Sequence, residues 1–101
     1  MINEVLLKEK YKLTKAEYEA IRNRVHELAD LENHNHIVIG RCNGTLKSTR
    51  KWLRKRLSNK EEVIHCLDFF ESHGGYCNCE ILYNVFLVVI AMEKEVENTD
   101  D

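Results

Sequence analysis

The chain has 101 residues, 44% of them hydrophobic and 32% charged, with no proline and a formal net charge of −2. That is one domain's worth of chain with an ordinary globular balance, and it argues against a disordered, collagen-like or membrane-spanning protein. The small net charge conceals an uneven distribution. Acids and bases nearly balance from Met1 to Gly40. From Arg41 to Lys60 the chain carries Arg41, Lys47, Arg50, Lys51, Arg54, Lys55, Arg56 and Lys60 with no acid, and after Lys60 the only base, Lys94, stands among ten acids. This pattern gives either two opposed faces of one domain, pairing with each other or with a second copy, or a basic surface for a polyanion.

Met1 to Leu7 is too short an apolar run for a secretory leader and lacks a small-residue cleavage site. The longest apolar stretch, Ile81 to Met92, is too short to span a bilayer. A cytoplasmic location follows as an expectation. Thiols stay reduced there, so the four cysteines are not read as two disulfides.

Ile2 to Lys8 reads as a short helix or a packing arm. Thr14 and Glu17 form a capping box that opens a helix over 14–32, with Leu13 and Tyr18 placed as a hydrophobic staple. Tyr18, Ile21, Val25 and Leu28 then share one face. The β-branched run in His36 to Arg41 predicts a short strand covered on both faces, followed by a turn at Cys42-Asn43-Gly44. Thr45 is placed to cap a helix over 46–57 that buries Leu46, Leu53 and Leu57, with Trp52 at the edge and the basic residues opposite. Ser58 is placed to cap a third helix over 59–73, with Val63, Leu67 and Phe70 inward beside Cys66 and Phe69, stopped at Gly74-Gly75. Tyr76 to Met92 is ambiguous. Its valines and the preceding Gly-Gly turn favour a strand over 77–90, while a helix from Glu80 onward also accommodates the run. The strand reading gives an α+β fold, a small antiparallel sheet (36–41 and 77–90) covered by helices, with 93–101 a fraying acidic tail.

On a strand, Cys77 and Cys79 point to the same face. Paired with the first strand, they would approach Cys42. Three thiolates plus one of His34, His36 or His73 make a tetrahedral zinc set, although zinc more commonly uses Cys-x₂-Cys spacing. Cysteines packed in a core are the alternative, and Cys66 reads as core. Cys77 or Cys79 with His73 as base would be the catalytic version, without an identifiable orienting group. Trp52 among Lys47, Arg50, Lys51, Arg54 and Lys55 is a mixture that stacks on bases and grips phosphates; alternatively, Trp52 covers the core and the cations keep the helix soluble.

Cys42-Asn43-Gly44-Thr45-Leu46, Thr49, Trp52-Leu53 and Gly74-Gly75-Tyr76-Cys77-Asn78-Cys79-Glu80-Ile81-Leu82 with Asn84-Val85 resemble a small bacterial domain family of unknown function. Its members carry Cys-Asp-His-Thr-Leu and, about thirty residues on, Gly-Gly-Tyr-Cys-Asp-Cys-Glu-Val-Leu. The resemblance spans roughly His36 to Val85 and departs at Gly44, where the family has histidine. It implies a site around Cys42, Cys77, Cys79 and Glu80, and no particular reaction. The order strand, turn, helix, helix, strand is also similar to the adaptor that delivers substrates to the Clp protease.

These readings predict a small non-catalytic binding or adaptor protein. Its ligand site comprises Cys42, Asn43, Thr45, His73, Cys77, Cys79 and Glu80, with no cofactor or one zinc ion on Cys42, Cys77 and Cys79. The alternative is a nucleic-acid-binding accessory protein, or a phage or mobile-element inhibitor of a host system, using Lys47, Arg50, Lys51, Trp52, Arg54 and Lys55. Two apolar faces on the strand 77–90 further predict a homodimer.

Overall fold

The computed structural model describes residues 2–35 and 44–97, the side chains of 33–35 excepted. Helix α1 (Glu4–Leu6) passes into a π-helical turn, π1 (Leu7–Tyr11). Then come α2 (Lys15–Asn35), α3 (Lys47–Arg56), α4 (Lys60–Ser72) and α5 (Asn78–Glu80). A second π-helical segment, π2 (Ile81–Val85), leads into α6 (Phe86–Glu97). Among the described residues there is no strand. The expected α+β class is therefore replaced by an all-helical fold, and its 36–41 strand lies outside the described residues. The likeness to the protease adaptor, which rested on strand order, goes with it.

The second predicted strand is helix because its apolar residues follow the helical period. Ile81, Val85, Val89, Met92 and Val96 are all fully buried, at spacings of four, four, three and four. Tyr83 and Leu87, which a strand would place on the same face as Ile81 and Val85, are 68% and 72% exposed. The homodimer argument from two apolar strand faces has no basis in this geometry. At on the order of 2 kcal/mol for each large apolar side chain buried, the inward stripe outweighs the β preference of its valines.

Helix α2 is the central element, in contact with α3, α4, π2 and α6. It opens on the predicted capping box. Thr14 N–H donates to Glu17 Oε1 at 2.9 Å, and Glu17 N–H donates to Thr14 Oγ1 at 3.1 Å. Leu13 and Tyr18 are both buried, as the staple requires. Leu46, Leu53 and Leu57 on one side, and Val63, Cys66, Leu67, Phe69 and Phe70 on the other, join the same core. Two caps fall one residue from their predicted places. Asn59, not Ser58, caps α4 by accepting from Glu62 N–H at 2.8 Å, and Leu46 occupies the cap of α3 while Thr45 Oγ1 accepts from Lys47 N–H.

Residues 93–97 of the expected acidic tail form the end of α6, and their acids bond to π1 and α2. Glu95 accepts from Lys10 Nζ and Tyr11 O–H, Glu97 from Tyr18 O–H and Arg22, and Glu93 contacts His26 Nε2 at 2.6 Å. The hydrogen bond from Lys10 holds the Glu95 carboxyl below the usual carboxylate range, and that from Tyr18 does the same for Glu97. Asn3 N–H also donates to Val96 O at 2.8 Å.

The Gly-Gly pair ends α4 in a Schellman arrangement. Gly74 is left-handed at φ +87, its N–H donates to Glu71 O, and Gly75 N–H donates to Phe70 O at 2.7 Å. The chain then turns into α5 within a few residues, so Gly75 lies directly against π2. A Cβ there would meet Val85 Cγ2 at 2.8 Å, with Ile81 Cγ1 and Phe70 O both at 3.1 Å. Gly75→Ala should therefore cost about 1–3 kcal/mol, read as a lower midpoint with unchanged slope in urea denaturation. A change within experimental error would show that this contact is not tight.

Candidate functional site

The motif residues expected to form a ligand site mostly build the connection between α4 and α5. Glu80 accepts from Tyr76 N–H at 3.1 Å, and Asn84 Nδ2 donates to Gly74 O at 2.8 Å. Cys77 is buried at the cap of α5 and Cys79 is half-buried inside it. The two thiols start a helix and do not share a strand face. His73 caps α4 with its ring 4.6 Å from that of Phe69. Among the described residues no three histidines, cysteines or carboxylates are grouped to hold a metal ion. Cys42, Asn43 and His36 lie outside the described residues, as does the side chain of His34. Cys66 is core, and burial pushes its thiol up to about 12.

The residues that do come together are Arg24, Ser48, Thr49, Trp52 and Asn78. Arg24 projects from α2 and is only 6% exposed. Its Nε–H donates to Thr49 Oγ1 at 3.0 Å, and the Thr49 hydroxyl donates to Asn78 Oδ1 at 2.6 Å. Asn78 Nδ2 donates onward to Ser48 Oγ at 2.8 Å. One chain of hydrogen bonds thus joins α2, α3 and α5. Thr49 has no exposed surface, so its hydroxyl can serve Arg24 and Asn78 without competition from water. Thr49, Trp52 and Asn78 belong to the motif segments. Arg24 lies well before them, and no spacing in the sequence announces it; only its position on a helix whose neighbouring turns carry buried Ile21 and Val25 could have done so.

Trp52 is half-buried, and its Nε1–H donates to Glu27 Oε1 at 2.9 Å. The Arg56 guanidinium lies 3.7 Å from the centre of its ring and that of Arg24 5.4 Å. Two guanidinium groups therefore lie within cation–π range of the indole. Arg24 approaches Glu27 only to 3.8 Å. Burial, and then the nearby Arg56, pull its guanidinium below its ordinary value while Glu27 opposes them. It remains charged at neutral pH, as arginine does.

Lys47, Arg50, Lys51, Arg54 and Lys55 are all exposed along α3. Among the described residues none has a carboxylate within 4.0 Å, whereas Lys10, Arg22 and Arg24 each do. Of the acids that follow Lys60, Glu93, Glu95 and Glu97 are engaged with His26, Lys10 and Arg22, on π1 and α2.

Replacing Thr49 by valine keeps the shape and strands both the Arg24 Nε–H and the Asn78 oxygen. It should cost about 1–3 kcal/mol in denaturant unfolding. A cost below about 0.5 kcal/mol would mean that the chain of hydrogen bonds holds little together.

No curated protein and no solved structure matches the chain. A family model described as a protein of unknown function (DUF2695) matches residues 34–84, half of its length, and covers Thr49, Trp52, Asn78 and the whole Gly74–Glu80 string. The chain belongs to the DUF2695 family.

Proposed function

We propose that this is a small non-catalytic binding protein whose working surface is the cationic face of α3 and whose ligand is a nucleic-acid backbone. The observation that carries the reading is the row Lys47, Arg50, Lys51, Arg54 and Lys55, exposed and without carboxylate partners among the described residues. Like charges on one helix repel each other at spacings of three and four. A polyanion removes that cost and gains from counterion release. At 1.5 Å rise per residue, Lys47 and Lys55 are about 12 Å apart along the axis, enough to face several phosphates. A site centred on Cys77, Cys79 and Glu80 has less support, because Glu80 closes a turn there and Cys77 is buried.

The test is fluorescence anisotropy with a labelled oligonucleotide across a salt series. With about four phosphates neutralised, affinity should fall roughly a hundredfold between 50 and 200 mM salt. Each of Lys47→Gln, Arg50→Gln and Arg54→Gln should reduce the salt slope by about one. No binding at low salt, or binding insensitive to salt, would sink the proposal. Saturable capture of an acidic protein with weak salt dependence would point to a protein partner in its place.

A further inference from the structure

We propose that the cleft between α2 and α3, with Arg24 at its floor and Ser48, Lys51, Lys55 and Arg56 around it, is a discrete phosphate-binding pocket. The inference rests on the reading of α3 as a nucleic-acid surface and names the place where one backbone phosphate is gripped by fixed groups.

The cleft has a volume of about 350 Å³ and opens to solvent. Its charge is lopsided. Among the described residues, Arg24, Lys51, Lys55 and Arg56 line the cleft with a single carboxylate, Glu27, which also accepts from Trp52 Nε1. A buried charge is costly unless it is paired. Here the buried guanidinium has a neutral hydroxyl on its Nε and, among the described residues, a carboxylate no nearer than 3.8 Å. With the Nε–H committed to Thr49, the terminal NH₂ groups are the remaining donors, in the planar fork that suits a phosphate. The Arg56 guanidinium also lies against the Trp52 ring, which brings a second cation to the cleft.

Arg24 is also held in place before any ligand arrives. Arg24 is held through Thr49, Asn78 and Ser48, and Ser48 itself lines the cleft. An arginine whose side chain is already ordered loses little entropy on binding, which distinguishes this position from the mobile lysines along the rest of α3. A phosphate entering here meets a fork, two ammonium groups and a hydroxyl, and its charge offsets that of the four cations lining the cleft.

Trp52 is the only tryptophan in the chain and stands in this cleft, so its fluorescence reports occupancy. The probe is inorganic phosphate, titrated at constant ionic strength against chloride. A saturable change in Trp52 emission is expected with phosphate and not with chloride. The Lys51→Gln/Lys55→Gln double variant should weaken it about tenfold or more. Lys8→Gln/Lys15→Gln, an equal loss of charge on α1–π1 and α2 away from the cleft, should leave it within about twofold. Arg24→Gln should abolish the response, with circular dichroism to establish that it folds; if it does not, the lysine pair decides. An unsaturable change that chloride matches, or equal weakening by the two double variants, would overturn the pocket. If an oligonucleotide binds with the expected salt slope while phosphate leaves Trp52 unmoved, the pocket falls and the nucleic-acid surface stands. If phosphate saturates and the oligonucleotide does not bind, the pocket stands and the nucleic-acid reading falls.

Discussion

The arrangement of this protein depends on one hydroxyl. Thr49, with no exposed surface, accepts from the Arg24 guanidinium and donates to the Asn78 amide, and so ties the central helix to α3 and to the start of α5. A threonine is the right size for this position. Its methyl packs in the core while its oxygen both accepts and donates, as a carboxylate or a lysine could not. Remove it, and a nearly buried cation loses a partner at the point where α3 presents its basic face. The motif residues therefore read as the frame around an arginine that lies outside the motif.

Much of the helical frame was legible in the residues. The Thr14–Glu17 box, the Leu13–Tyr18 staple, and the inward faces of 46–57 and 59–73 all follow from local rules that tertiary packing does not contradict. The 77–90 segment favours a strand in sequence because Val88, Val89 and Ile90 form a continuous β-branched run, in which strand and helix patterns cannot be told apart over a few residues. The longer series Ile81, Val85, Val89, Met92 and Val96 resolves it. The Gly74-Gly75 pair was correctly read as a stop for α4. What it does next, packing against Ile81 and Val85 so that the chain can start another helix, is a matter of three-dimensional fit that composition does not reveal.

The site was legible in part. The cations of α3 and the edge position of Trp52 follow from spacing, and the structure places them as expected on the exposed side. Three things did not follow. Arg24 and Glu27 come from a helix that is distant in sequence, Arg56 lies against the indole, and the cysteine string serves a turn. The acidic end and basic middle suggested mutual pairing. In the fold the acids of α6 pair with Lys10, Arg22 and His26, and among the described residues none of them forms an ion pair with α3. Near-neutrality of the whole chain thus coexists with a strongly cationic face.

The central claim, that Arg24 is clamped through Thr49 by a residue it never touches, is tested most directly by its own side-chain N–H. In a ¹⁵N-edited spectrum the Arg24 Nε–H should exchange with water far more slowly than that of the exposed Arg50. Asn78→Ala, which removes the two bonds beyond Thr49 and leaves the Arg24–Thr49 pair itself, should accelerate that exchange and shift the resonance. Exchange as fast as that of Arg50, or a resonance indifferent to Asn78→Ala, would contradict the account.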